Sequence, residues 1–331
     1  MRAKNIVRGV SVSVLFLSVL AFSACTIPLY HQTGKADQKI KEVKTVFDEV
    51  DGIAQSSFEL SEKVYRDSLA EGVMKSNLDE VQTKQEELKE SKEKIESTQS
   101  VIDEINAMRL PADYKEEALP KITEARSKRL EVVDVAEDLL FKSENLSSAI
   151  VNYYSATNRM ENAVDKLDSL EELDFDDPET FSKAKAVFEE VSSEIKQSQS
   201  EYNAAAASVN AEVFSRLRDS VNDFSIVAES LDKIIVHLEE LYDCVQKKDK
   251  EACLKTYEEL LGEYQVFTSA LQNFSINFPY DLVKGNDFTT KGENQIQVWK
   301  DENFKNLFDD YDSKKRELEE IDNRVKVVVN K

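Results

Sequence analysis

The sequence predicts an all-α protein, an elongated antiparallel helical bundle or coiled coil with long helices. Three observations carry that prediction. Glycine occurs 7 times and proline 5 times in 331 residues, far below the ~7% and ~5% usual in globular chains. A sandwich or a βαβ fold needs turn-formers every few residues, and this chain cannot supply them. Charged residues make up 33% of the chain, and apolar residues recur at steps of three and four, the pattern of a helix with one wet face. The third observation is continuity: neither glycine nor proline interrupts the stretch from Glu179 to Leu261.

The elements follow in order. Ile40, Val43, Phe47, Val50, Ala54, Ser57, Ser61 and Val64 form one helical stripe. Gly52 weakens the middle of that helix, and Gly72 marks its end or a kink. From Val73 to Met108 the stripe thins to a seven-residue repeat, Val81, Leu88, Ile95 and Ile102, with polar Gln85, Lys92 and Gln99 between. This is the pattern of a narrow coiled-coil contact. Arg109 to Asp113 is a break, and Pro120 stands near the start of the next helix. Ile122, Ala125, Arg129, Val132, Ala136, Leu139, Ser143, Leu146, Ile150 and Tyr153 then form a strong stripe that continues to Leu170, about 50 residues of helix.

Asp174 to Glu179 is the clearest boundary. Asp177 is placed to cap a helix that has Pro178 at its first position. The expected organisation is thus a long-helix coiled-coil region over 35–173 and a helical bundle over 178–331. In the second region Phe181, Ala184, Phe188, Val191, Ile195, Tyr202 and Ala205 mark one helix. Leu217, Val221, Phe224, Val227, Leu231 and Leu238 mark another, with a bend between Ser208 and Phe214. Asn273 to Gly292 is aromatic and contains glycine and proline, so it is expected as a loop of about 20 residues. A loop of that length is either functional or a cap on the bundle. A last helix carries Trp299, Phe304, Leu307, Phe308, Tyr311 and Leu318.

Charge narrows the partners. The formal net charge is −22. Nucleic acid is not expected as a partner, because phosphate contacts need clustered Lys and Arg. The bland meaning of the charge is solubility; the sharper one is an acidic surface that faces a cationic partner.

The first residues carry an address. Arg2, Lys4 and Arg8 precede an apolar run from Val10 to Phe22, followed by Phe22-Ser23-Ala24-Cys25. The run is about 13 residues, within the ~7–15 of a signal peptide and short of the ~20 that span a bilayer as a helix. This segment resembles a bacterial lipoprotein signal peptide, with Phe22 where leucine is usual. The resemblance implies cleavage after residue 24, acylation (palmitate) of Cys25 and an anchor on the outer face of a cell membrane, so that membrane lipid is a partner through Cys25. An ordinary secretory signal and an uncleaved anchor are the other readings of these residues. Thr26 to Gly34, which includes His31, reads as a tether. With this start, the Glu/Lys-rich stretch Gln85-Glu86-Glu87-Leu88-Lys89-Glu90-Ser91-Lys92-Glu93-Lys94-Ile95 resembles the helical lipoproteins of Gram-positive bacteria labelled putative cell-wall-binding proteins. That resemblance implies a cell-envelope polymer or protein as partner and transfers no site residues.

Cys244 and Cys253 remain, nine residues apart. In one continuous helix they would lie ~13.5 Å apart, beyond the ~7 Å reach of a disulfide. A bond requires a turn, and Gln246 to Lys250 supplies one, with Asp249 able to cap the next helix. A hairpin clamped at its tip is expected, and two free thiols are the alternative. His237 lies among Ile235, Val236 and Leu238 with Glu240 three residues on. That His-x-x-Glu spacing resembles half of the metal-associated motif of imelysin-like helical proteins, but the glycine expected two positions earlier is Ile235 here, so the match fails and His237 is read as an ordinary helix position. No catalytic set, phosphate loop, cofactor motif or metal cluster is expected, and the chain is not expected to be an enzyme. The expected role is structural or interactive, as envelope binder, adhesin or scaffold. The alternative is a ligand site near the 273–292 loop, at Phe278, Tyr280, Phe288 and Trp299.

Overall fold

The computed structural model describes residues 27–112, 114–172 and 178–329. The signal-like segment with Cys25, and the capping position Asp177, lie outside them. The fold is an all-α helical bundle. Among the described residues there are seven α-helices: α1 (Ile27–Arg66), α2 (Glu71–Ala107), α3 (Leu119–Asp168), α4 (Pro178–Ser208), α5 (Glu212–Lys247), α6 (Lys250–Asn277) and α7 (Thr290–Val329). The sole sheet among these residues is a two-stranded hairpin, β1 (Val283–Lys284) and β2 (Asp287–Phe288).

Two corrections concern the ends of helices. Ile27 to Gly34, expected as a tether, belongs to α1. The reason is that Pro28, at the second position, already has the φ of a helix and loses no hydrogen bond there. The break after α1 falls at 67–70, and Gly72 lies one residue inside α2. Gly52 does not interrupt α1. Pro178 is the first residue of α4 and Pro120 the second of α3, both positions where a missing N–H costs nothing.

The chain divides into two compact units, one of residues 1–67, 76–144 and 302–331, the other of 68–75 and 145–301. The boundary expected at 173–178 is therefore not where the units divide. The last helix returns to pair with the first and third, which no local composition signals.

In the first unit four helix segments pair antiparallel. Lys39–Glu104, Glu49–Lys94 and Lys63–Glu80 hold α1 against α2 in one register. Lys92 joins α2 to Asp134 and Glu137 of α3. Lys128–Glu317 and Lys314–Glu131 join α3 to α7. Phe58 stacks on Tyr311 with ring centroids 4.4 Å apart, closing α7 onto α1. The repeat Val81, Leu88, Ile95, Ile102 is buried as expected; Met74, which belongs to the second unit, is also buried and stands seven residues before Val81. The second column of that repeat is not Gln85, Lys92 and Gln99, none of which is buried. It lies one residue earlier, where Asn77, Ser91 and Thr98 are buried. Steps of 3 and 4 from each apolar residue are both legal on a helix, and small polar side chains give no hydropathy signal to decide between them.

A titratable group sits near the start of α1. Partial burial pushes the Asp37 carboxyl up to about 6, against the lowering effect of Lys41. Beside it Tyr114, which is buried, is raised by burial and by the Asp37 charge. A carboxyl that binds its proton more tightly folded than unfolded makes the folded state gain stability as pH falls from 7 through 6 toward 4. Above pH 6 the ionised form is a burden. Asp37→Asn is therefore expected to stabilise the protein at pH 7.5 by about 1–1.5 kcal/mol, after halving the full linkage for solvent screening. At pH 4 the gain should vanish. Urea unfolding of both proteins at the two pH values measures this, and a gain that is equal at both would refute it.

In the second unit α3, α4, α5 and α6 pack as successive antiparallel neighbours. Arg159 bridges to Glu194 and Glu201 across α3 and α4. Ala163, Val191, Ile195, Phe224, Val227, Ala228 and Ala270 form one buried cluster from all four helices. Val209 to Ala211 make the expected break between α4 and α5.

Candidate functional site

The α5–α6 hairpin and the segment after it hold most of the features that bear on function. At its tip, Lys248 takes the left-handed conformation that ends α5, and its neighbour Asp249 accepts a hydrogen bond from the Ala252 N–H at 3.1 Å to start α6. The turn brings the Cα atoms of Cys244 and Cys253 to 5.4 Å, and the two sulfurs are bonded. The disulfide fixes the register of the hairpin: Lys233 meets Glu263 and Ser220 meets the carbonyl of Asn277 further along. Closing a loop of this size is worth about 2–3 kcal/mol through the entropy of the unfolded chain. The Cys244→Ser/Cys253→Ser pair is expected to lose that much stability in urea, with protection from hydrogen exchange lost first in 240–257. An unchanged unfolding curve would mean that packing alone sets the hairpin.

The aromatic loop is shorter than expected. Residues 273–277 complete α6 and 290–292 begin α7, which leaves 278–289. Within it Gly285, at φ +59°, occupies the first central position of a two-residue hairpin turn, where glycine is favoured. Gly292 is needed for a different reason: a Cβ there would lie 2.2 Å from the carbonyl oxygen of Leu282. Lys291 and Arg216 tie the loop down through Asp281, whose carboxyl they hold down to about 2.

The structure separates the four residues expected to bind a ligand. Phe288 is 9% exposed and stacks on Tyr153 with centroids 4.2 Å apart, with Phe214 edge-on at 6.1 Å. Its ring fills a core. Trp299 is also buried, on α7. Phe278 is half-buried and touches Phe274 and Tyr280. Of the four, Tyr280 alone is exposed. The loop thus packs the Phe288 ring against Tyr153 and Phe214 of the second unit.

Three arrangements lie beyond the sequence reading. One outer flank of α6 carries Leu254, Tyr257, Leu261, Tyr264 and Leu271, all exposed. Their spacing of three, four, three and seven is itself the signal that would show the stripe. Second, His237 does not stand alone with Glu240. Glu259 comes across from α6, and ligand atoms of the three lie within 4.8 Å of one another. The third is in the first unit. Arg129, 4% exposed, is held by Asp51 and Asp322, each at 2.9 Å, and its guanidinium lies 4.4 Å above the Phe47 ring.

Open grooves are lined mostly by polar and charged residues, with the aliphatic parts of their side chains forming much of the surface. One of about 570 Å³ runs between α1 and α2 past Glu59, Lys63, Asp79, Glu80, Lys84 and Glu87. Two of its cations are engaged locally, Lys63 with Glu80 and Lys84 with Glu87. Among the described residues no helix is long and apolar enough to cross a membrane. No protein-family model matches the chain, and neither a curated protein nor a solved structure matches it.

Proposed function

We propose that this chain is a lipid-anchored protein on the extracytoplasmic face of a cell membrane, acylated at Cys25, that organises the cell envelope by binding another envelope protein. The observation that carries the interaction role is the exposed stripe on α6. Soluble proteins seldom leave a contiguous apolar row uncovered without a use for it. The stripe fits an amphipathic helix laid along it. Glu251, Glu258 and Glu263 lie on the same helix, and the chain as a whole is −22. The complementary partner is therefore a helix whose apolar stripe is flanked by Lys or Arg. The disulfide suits the oxidising space outside the membrane, in keeping with the signal-like start. The ligand-site alternative gains nothing from a loop whose Phe288 ring is spent on the core.

Two measurements test this. Labelling cells with a palmitate analogue should mark the wild type and leave Cys25→Ser unlabelled and released from the membrane; equal labelling would remove the anchor. Capture from native membranes with wild type and with Leu261→Glu/Tyr264→Glu should show a protein with a basic amphipathic helix that the variant fails to retain. Its retention should weaken with salt. Equal retention by both would overturn the role of the stripe.

A further inference from the structure

We infer that His237, Glu240 and Glu259 form a site for a transition-metal dication of the zinc type, which joins α5 to α6 below the disulfide. His237 and Glu240 are three residues apart and so share one face of α5. Glu259 is delivered by α6, in the register that the Cys244–Cys253 bond sets seven and six residues away. Nδ1 of His237 lies 3.3 Å from a Glu240 carboxylate oxygen and 4.0 Å from one of Glu259. Metal–ligand bonds of ~2.0–2.2 Å at tetrahedral angles place donor atoms about 3.3–3.5 Å apart. The His237–Glu240 pair already has that separation. The His237–Glu259 pair needs a shift of less than about 1 Å by a carboxylate that is 43% exposed, and the two carboxylates, within 4.8 Å of each other, need to close by at most about 1.5 Å.

The chemistry of the set is selective. One imidazole nitrogen with two carboxylate oxygens uses the donor types of three-ligand His/Glu zinc sites, with a carboxylate in place of the second imidazole, and leaves a fourth position for water. Magnesium and calcium prefer all-oxygen shells. The charge also asks for a cation. Two carboxylates converge on one imidazole nitrogen. Lys255 reaches Glu259 at 3.5 Å, but it is a highly exposed side chain on α6 itself and does not join the two helices. A dication between the three groups would neutralise both carboxylates and cross-link the hairpin at a second point.

Titration calorimetry of ZnCl₂ into the untagged full-length protein tests the site. One ion per chain is expected. His237→Ala and Glu259→Gln should each weaken binding at least tenfold. Glu229→Gln, exposed on α5 but outside the set, should not change it. Magnesium should bind at least a hundredfold more weakly. A second readout separates a built site from diffuse attraction to an acidic surface. In Cys244→Ser/Cys253→Ser protein, zinc should restore hydrogen-exchange protection at the hairpin tip, and Glu259→Gln should abolish that rescue. Absence of binding, or equal binding by the His237→Ala/Glu259→Gln double variant, would overturn the inference.

Discussion

Replacing Arg129 with methionine should cost about 3–5 kcal/mol at pH 7, because it leaves Asp51 and Asp322 facing each other in a partly buried place without their cation. Methionine keeps most of the aliphatic volume over Phe47, so the loss reports charge more than a cavity. Its pH dependence identifies the cause. In the wild type, burial already pushes the Asp51 carboxyl up, with Arg129 opposing. Without the guanidinium that opposition is gone, and the folded variant holds a proton there more tightly still. A group that binds its proton more tightly folded than unfolded adds stability as pH falls. The variant should therefore gain more than the wild type between pH 7 and pH 4, and the gap between the two should narrow. The triple variant Asp51→Asn/Arg129→Met/Asp322→Asn should restore most of the stability at pH 7, since removing a whole buried ion set is far less costly than breaking it. Urea unfolding at both pH values measures all three proteins. A gap that is the same at pH 7 and pH 4, and that persists in the triple variant, would mean that Arg129 acts by packing alone.

Arg129 also shows where reading the sequence stops. Its place in an apolar stripe is legible: it sits in step with Ala125, Val132 and Ala136, so a buried arginine on α3 can be read from spacing. Its partners cannot. Asp51 and Asp322 lie 78 and 193 residues away, and among 65 acidic residues none is marked as special. The same limit applies to Glu259, which becomes a neighbour of His237 only once the hairpin register is known. Local features are more legible because they act over one or two turns. The break after Ser208, Pro178 at a helix start, and the turn between Cys244 and Cys253 capped by Asp249 are all consequences of backbone chemistry near those residues. The expected loop at 273–292 is too long because aromatic, turn-forming composition at its centre says nothing about where the flanking helices stop; Asn273 to Asn277 have no feature that ends a helix before Pro279. The heptad of α2 is half legible. Leu88 and Ile95 fix the face, and the small polar residues beside them leave its width open.

Phe288→Ala should be the most damaging change in the second unit, with an expected loss of about 3–5 kcal/mol. The ring stacks on Tyr153, meets Phe214 and Tyr154 edge-on, and belongs to β2, so its removal opens a cavity and frees the hairpin that precedes α7. A unit of about 165 residues should then melt roughly 8–16 °C lower. Tyr280→Ala is the informative contrast. Its side chain is 62% exposed, and changes at such positions usually stay within about 0.5 kcal/mol. The pair separates two meanings of an aromatic loop. If the loop existed to hold a ligand, Phe288 would face an empty space, and its loss would leave melting unchanged while it weakened binding. If the loop exists to close the core, Phe288 carries stability and Tyr280 carries almost none. Thermal unfolding of the two variants, with hydrogen exchange at Tyr153 and Phe214 as a local reporter, decides between them. A near-native melting temperature for Phe288→Ala would restore the loop as a binding site. A large drop confined to that variant would assign the Phe288 ring to the core of the second unit.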